Sequence, residues 1–268
     1  MKFPRPPGAR DPRYMQLTML LGYSIAARYI FHLERPQFVT ALALTEAVVL
    51  DLLLGHFYYK KIVFPLSAMI IALACTILIS VSRWEYYLLA VLLAIASKAF
   101  CTYRGRHFLN PANFGVVLLI QLLPAKVAAI PHLFTGYLWP SIVFATLGSV
   151  TSIYAGQVDI SLSWIVGFLI FGLVRAALTG ADPLFVLAPM LSSSFLVFSF
   201  HMLSDPATTP RYRRNRIAYA VFVAFIDAVL RYYQVISGML YALVFAATLL
   251  PWVRDHEQRQ GSLWKWSA

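Results

Sequence analysis

Apolar stretches follow one another along this chain almost without pause, at approximately residues 15–31, 38–57, 62–81, 85–100, 111–124, 136–155, 160–178, 183–203, 215–231 and 234–252. A bilayer core about 30 Å thick takes about 20 apolar residues per helix. Only 12% of the residues are charged, against about 25% in a soluble domain, and the apolar runs are too contiguous for one water-soluble core to hide. The sequence therefore predicts an all-α, polytopic membrane protein of about ten transmembrane helices. The stretches at 85–100, 111–124 and 215–231 are short, which predicts half-helices packed inside the protein.

Charge gives the orientation. The excess of 22 Lys and Arg over 11 Asp and Glu would raise the question of nucleic acid in a soluble protein, but here the cations are spread over loops and not gathered on one folded face. With a cytoplasmic N-terminus, the inner segments hold 16 of them and the outer segments six. Cytoplasmic loops are enriched in Lys and Arg, so both termini are placed in the cytoplasm and the chain in the inner (plasma) membrane. The basic start followed by an apolar run has the outline of a signal peptide. Pro4, Pro6, Pro7 and Pro12 stiffen it, however, and no A-x-A site follows, so it is read as an uncleaved first span.

The two cysteines, Cys75 and Cys101, have neither CxxC spacing nor a neighbouring histidine pair. A disulfide framework, a zinc site and an iron–sulfur cluster all lack ligands. No nucleophile–base pair or paired carboxylates recur at catalytic spacing either, so no catalytic residue is assigned.

Phe108-Leu109-Asn110-Pro111-Ala112-Asn113 and Met202-Leu203-Ser204-Asp205-Pro206-Ala207 echo one another, each with a short polar residue, proline and alanine after an apolar stretch. Proline removes a backbone donor and disfavours helix in the residue before it, so both segments are expected to interrupt a helix at its inner end. The chain then divides into a basic tail (1–14), a first five-helix repeat (15–124), an inverted second repeat (136–252) and a second tail (253–268), forming one integral membrane domain. Inverted repeats put broken helices and a binding site at their interface.

Several residues carry chemistry in this frame. Lys98, Tyr103, Arg104, Arg106 and His107 precede the Asn110-Pro111 break, with Asn113 and Phe114 after it. As a group they read either as a positive-inside loop or as a grip on an anionic or aromatic ligand. Asp205, Thr208 and Thr209, framed by two prolines, present carbonyls and hydroxyls at the membrane boundary. Phe108 and Phe200 add apolar surface. Glu46, Asp51 and Asp227 are intramembrane charges. Asp227 is four residues from Arg231 and pairs with it on one helix face, while Glu46 is either neutralised structurally, by Arg28 or by its own proton, or is a proton or cation ligand. His107, His132 and His201 show no facing pair for haem.

At these residues the sequence resembles the NqrB/RnfD family of membrane electron-transport subunits. The likeness runs through Asp11-Pro12-Arg13, through Ser97-Lys98 to Gly115 with its Arg104-Gly105-Arg106-His107 and Asn110-Pro111-Ala112-Asn113-Phe114-Gly115, and through Met202 to Pro210. The resemblance implies ten helices in two inverted repeats and flavin-based electron transfer within a multisubunit complex. Family members with covalent FMN attach it to the last threonine of a Ser/Thr-Gly-Ala-Thr motif followed by Pro-Leu. Here the segment reads Thr179-Gly180-Ala181-Asp182-Pro183-Leu184. Asp182 lacks the acceptor hydroxyl and its charge repels a phosphate, so covalent FMN is not expected.

The leading expectation is thus a redox-associated membrane subunit, at most a non-catalytic electron-transfer part of an oxidoreductase complex. Its cavity would hold a non-covalent flavin (FMN or riboflavin) or a quinone, and its partners would be the lipid bilayer and other membrane subunits. Two alternatives stand beside it: a transporter or channel using Glu46, Asp51 or Asp227, and a cofactor-free structural or assembly subunit.

Overall fold

The structure, a computed structural model, describes residues 6–8, 11–29, 37–129 and 138–265. His132 and Arg35, together with Lys2, Arg5 and Arg10, lie outside the described residues. Helix dominates the rest. The first half holds α1 (Pro12–Tyr29), α2 (Gln37–Leu53) with a π-helical turn Leu54–Tyr58, α3 (Leu66–Leu78), α4 (Glu85–Phe100) and α5 (Pro111–Leu122). The second holds α6 (Leu138–Tyr154), α7 (Val158–Thr179), α8 (Pro183–Leu187), α9 (Ser193–Val197) with a π-helical turn Phe198–Met202, α10 (Arg213–Tyr232), α11 (Gly238–Ala247) and α12 (Leu250–Lys265).

Each of the ten stretches expected to be apolar helix holds helix. Among the described residues, two helices, Phe38–Tyr58 and Val158–Thr179, are long and apolar enough on their own to cross a membrane, and the pair Pro183–Leu191 and Ser194–Met202, bent by 64°, makes a third if taken as one span. The remainder are shorter apolar helices such as Leu66–Leu78 and Pro111–Leu122. The 215–231 stretch, expected to be short, is instead the 20-residue α10, because the basic residues before it continue the helix. The C-terminal tail is likewise helical, as α12.

Three helical segments begin on the same local chemistry. Asn110, Asp182 and Asp205 each precede a proline, and their side-chain oxygens accept from the backbone N–H of Asn113, Leu184 and Ala207. Proline at the first helical position gives up a donor that has no partner there anyway, and the Asx cap satisfies another. Between α4 and α5, Thr102–Tyr103 and Arg106–His107 form a short antiparallel hairpin turned through Arg104 (φ 49°) and Gly105 (φ 76°). Two consecutive positive φ angles make the tight turn that suits the twist of a two-residue hairpin, and glycine takes the second without strain. A second antiparallel ladder pairs Ile79–Val81 with Val127–Ala129.

The helices approach through small residues, as helices in membranes do. A Cβ on Gly115 of α5 would lie 2.7 Å from the backbone nitrogen of Ala94 in α4, and one on Gly167 of α7 would lie 2.9 Å from the Ala224 methyl in α10. The bundle has two ends: one carries the hairpin and α12, the other the Ile79–Val81 ladder. α4 runs from the ladder end to the hairpin end and α7 returns toward the ladder end.

Candidate functional site

The bent pair α8–α9 ends in a π turn, in which Leu203 N–H bonds back to Phe198 O at 2.9 Å. A widened turn leaves carbonyls without helical donors, and side chains from elsewhere supply them. Ser161 Oγ donates to Ser199 O at 2.8 Å, Gln16 Nε2 to His201 O at 3.3 Å, and Asn110 Nδ2 to Met202 O at 3.2 Å. Trp164 Nε1 donates to Ser199 Oγ at 2.9 Å, within a cluster of Phe168, Phe195 and Phe198 rings. Asn110 thus does two things: its oxygen caps α5 and its amide ties that cap to the end of the bent pair.

The two breaks meet around a cavity of about 420 Å³ at the hairpin end. Lys98, His107, Asn110 and Asp205 line it together with Phe200 and His201. His201 is 5% exposed, and neither of its ring nitrogens has a hydrogen-bond partner among the described residues. Buried polar atoms rarely go unpaired, so this residue of the cavity wall keeps an unspent donor and acceptor. Lys98 Nζ is held by Asp51 at 2.5 Å and Ser67 Oγ at 3.0 Å. At the mouth, Arg13 hydrogen-bonds Asp11 and holds that carboxyl below its usual range. Burial pushes the His107 imidazole below its usual value, an effect that Lys98 and Arg254 add to and Asp205 opposes.

Other expected residues serve the walls. Asp205 accepts from Ala207 N–H at 2.9 Å and from Thr208 Oγ1 at 3.2 Å, and Thr208 and Thr209 are buried. Asn113 Nδ2 donates to Leu240 O at 2.9 Å, and Phe108 and Phe114 pack against the apolar core. Tyr103 and Arg104 turn to α12, donating to Asp255 Oδ2 at 2.8 and 3.1 Å, and Arg106 is exposed on the hairpin. The structure therefore brings Lys98, His107, Asn110 and Asp205 together and leaves Tyr103, Arg104 and Arg106 outside the cavity.

The sequence does not single out Gln16, Ser67 or Arg254. A lone amide in the apolar first span is the signal that marks Gln16. Arg254, one basic residue among many in the inner segments, carries none, yet it reaches both breaks, donating to His107 O at 3.2 Å and to Ala207 O at 2.6 Å.

Thr179, Gly180, Ala181 and Asp182 sit at the opposite, ladder end. Gly180 closes α7 with φ 67°, Thr179 Oγ1 donates to Arg175 O at 2.8 Å, and Asp182 Oδ1 caps α8 by accepting from Leu184 N–H at 2.8 Å. The carboxylate at 182 is engaged as a cap, and the remaining threonine hydroxyl is tied to its own helix, so the segment does not fit a phosphoester-linked flavin. Of the intramembrane charges, Asp51 pairs with Lys98, and Asp227 pairs with Arg231 at 2.7 Å as the four-residue spacing predicts. Glu46 Oε2 is buried without a hydrogen-bond partner among the described residues. No group of three or more metal-ligating side chains occurs among the described residues.

No curated protein matches the chain. The model of the NQR2, RnfD, RnfE family matches residues 132–261, a stretch that takes in α6 to α11, the Thr179–Asp182 segment and the Asp205 break. Members of that family are membrane subunits of electron-transport complexes. Over these residues the chain is similar to the NQR2, RnfD, RnfE family.

Proposed function

We propose that this chain is the membrane subunit of an electron-transport complex whose hairpin-end cavity holds a non-covalent planar redox molecule, a flavin or a quinone. One observation carries the reading: His201, buried and with both ring nitrogens unspent, lines a cavity enclosed by both helix breaks. Ligand pockets span about 300–1,000 Å³ and combine apolar walls with a few convergent polar groups, and about 420 Å³ falls in that range. When bound, such a ring system accepts and passes on electrons. Phe200 offers it a face, while the His201 imidazole and the Lys98 ammonium offer donors to ring carbonyls. Lys98 stays fixed because Asp51 and Ser67 hold it.

The architecture proposed with it is two inverted five-helix repeats, with both termini cytoplasmic and the hairpin end facing in. Packing supports it: α2 lies on α4 as α7 lies on α10, α4 on α5 as α10 on α11, and α1 on α3 as α6 lies on the bent pair. The Asn110 and Asp205 echo does not contribute. Asn110 falls between the fourth and fifth helices of its half, whereas Asp205 follows the third element of the other half. Their meeting comes from sharing an end of the bundle.

The test is to purify the protein in mild detergent, record its visible spectrum, and denature it. A flavin- or quinone-like chromophore in the released fraction, lost in His201→Leu, is expected. A released fraction without chromophore, together with no rebinding of added flavin or quinone, overturns the reading.

A second reading, proton- or cation-coupled transport, draws on Glu46 Oε2, which has no partner among the described residues, Asp51 and Asp227 being paired with cations. Uptake into proteoliposomes that disappears in Glu46→Gln would favour it.

A further inference from the structure

A second cavity, of about 810 Å³, opens at the ladder end, between the ends of α7 and α10 and the starts of α8 and α11. Arg175 and Arg231 both line it. Their situations differ. Arg231 is satisfied, with its Nε 2.7 Å from Asp227 Oδ2 and its guanidinium 5.2 Å from the centre of the Phe168 ring. Arg175 makes one long contact, Nη2 to Val186 O at 3.4 Å, and its Nε is buried without any partner among the described residues. Among the described residues, two guanidinium groups therefore share one carboxylate, which leaves one positive charge uncompensated in a half-buried recess. A cation taken out of water without a partner is costly, and the arrangement is relieved by an anion brought from outside.

The rim says what kind of anion. Phe185 and Ile236, which line the cavity, are each 79% exposed, and Leu184 beside them is 80% exposed. Large apolar side chains this exposed next to a guanidinium suit a molecule with a charged head and an apolar tail. Asp182 caps α8 by accepting from Leu184 N–H, and the charges that act on Arg175 are those of Arg231 and Asp227.

We propose that this cavity binds an amphiphile with an anionic headgroup, a phosphate or carboxylate, held by Arg175, with its tail lying over Phe185, Leu184 and Ile236. The site lies at the opposite end of the bundle from the redox cavity and stands or falls separately from it.

The test uses the full chain in phosphatidylcholine nanodiscs, read by thermal unfolding and by native mass spectrometry while phosphatidylglycerol is added. Phosphatidylglycerol is expected to raise the unfolding temperature and to remain bound. Arg175→Gln is expected to weaken its retention about tenfold, the scale of one charge-assisted hydrogen bond, and Arg175→Lys to weaken it less. Phe185→Ser, at an exposed position that leaves the charges in place, should lower retention too, while Arg83→Gln, which removes an arginine outside the cavity, should not. Equal retention of phosphatidylcholine, or unchanged retention in Arg175→Gln, overturns the site. Stabilisation by inorganic phosphate as great as that by the lipid overturns the amphiphile.

Discussion

Asn110 and Met202, 92 positions apart in sequence, are joined by a hydrogen bond of 3.2 Å from a side-chain amide to a main-chain carbonyl. The same asparagine caps α5 through its oxygen, so one residue fixes both where a helix starts and where the bent pair ends. Asn110→Ala removes both bonds and is expected to cost about 1–2 kcal/mol. Asn110→Asp keeps the cap but sets an acceptor against the Met202 carbonyl. Thermal unfolding in detergent should show both variants below the native protein, and an unaltered Asn110→Asp would mean that the contact to Met202 carries no weight.

His107 gives the hairpin end a pH dependence. Burial holds its folded-state pKa below the ordinary 6.5. As pH falls through 6.5 the unfolded chain takes up the proton first, so stability contributed by the neutral imidazole is complete above about 6.5 and is lost on acidification. Lys98 and Arg254 deepen the effect and Asp205 moderates it. Unfolding temperatures of the native protein measured from pH 7.5 down to 5 should fall more steeply than those of His107→Gln. Parallel curves would remove His107 as the cause.

Much of this is legible in the chain itself. Apolar run length locates all ten helical stretches, and the Asx-Pro pairs mark the breaks, because a proline and a capping side chain are local chemistry. The Asp227–Arg231 pair follows from helical spacing alone. What stays hidden depends on partners distant in sequence. Nothing in a string of loop cations distinguishes Arg254, which bridges His107 O and Ala207 O, from Arg106, which is exposed. His201 reads like any histidine in an apolar span, since an unpaired nitrogen is a property of the surroundings. Tyr103 and Arg104 group with the ligand-facing residues in sequence, and only the helical course of the C-terminal tail draws them away to Asp255.

Arg254 contacts both breaks from outside the apolar helices. Its guanidinium spans the main-chain carbonyls of His107 and Ala207. Arg254→Gln should loosen residues 102–108 and 205–209 together, visible as faster amide hydrogen exchange in both segments with little change in α7 or α10. Faster exchange in one segment alone would show that the bridge does not couple them.

Asp182 makes a separate prediction about modification. The carboxylate caps α8 and offers no hydroxyl for a phosphoester, so intact-mass measurement should find no flavin adduct and denaturing gels no in-gel fluorescence. Asp182→Thr restores a hydroxyl that can still cap the helix, and it should unfold within about 1 kcal/mol of the native protein. A flavin adduct on the unaltered chain would refute this account of the segment.

Close packing of α4 on α5 sets the last expectation. A methyl group on Gly115 would come within 2.7 Å of Ala94 N and 2.8 Å of Ala90 O. These are backbone atoms, which cannot swing aside as the end of a side chain can, so the helices must separate and Asn110, at the head of α5, moves with them. Overpacking of this kind costs about 1–3 kcal/mol. A methyl group on Gly22 in α1 would meet nothing within 4 Å, and Gly22→Ala should change stability by less than about 1 kcal/mol. Unfolding of the two variants side by side, with the chromophore retained by each as a second readout, separates a general intolerance of alanine from a specific need for close approach. Gly115→Ala should lose both stability and ligand, and equal stability in the two variants would mean that the contact between α4 and α5 is looser than the structure has it.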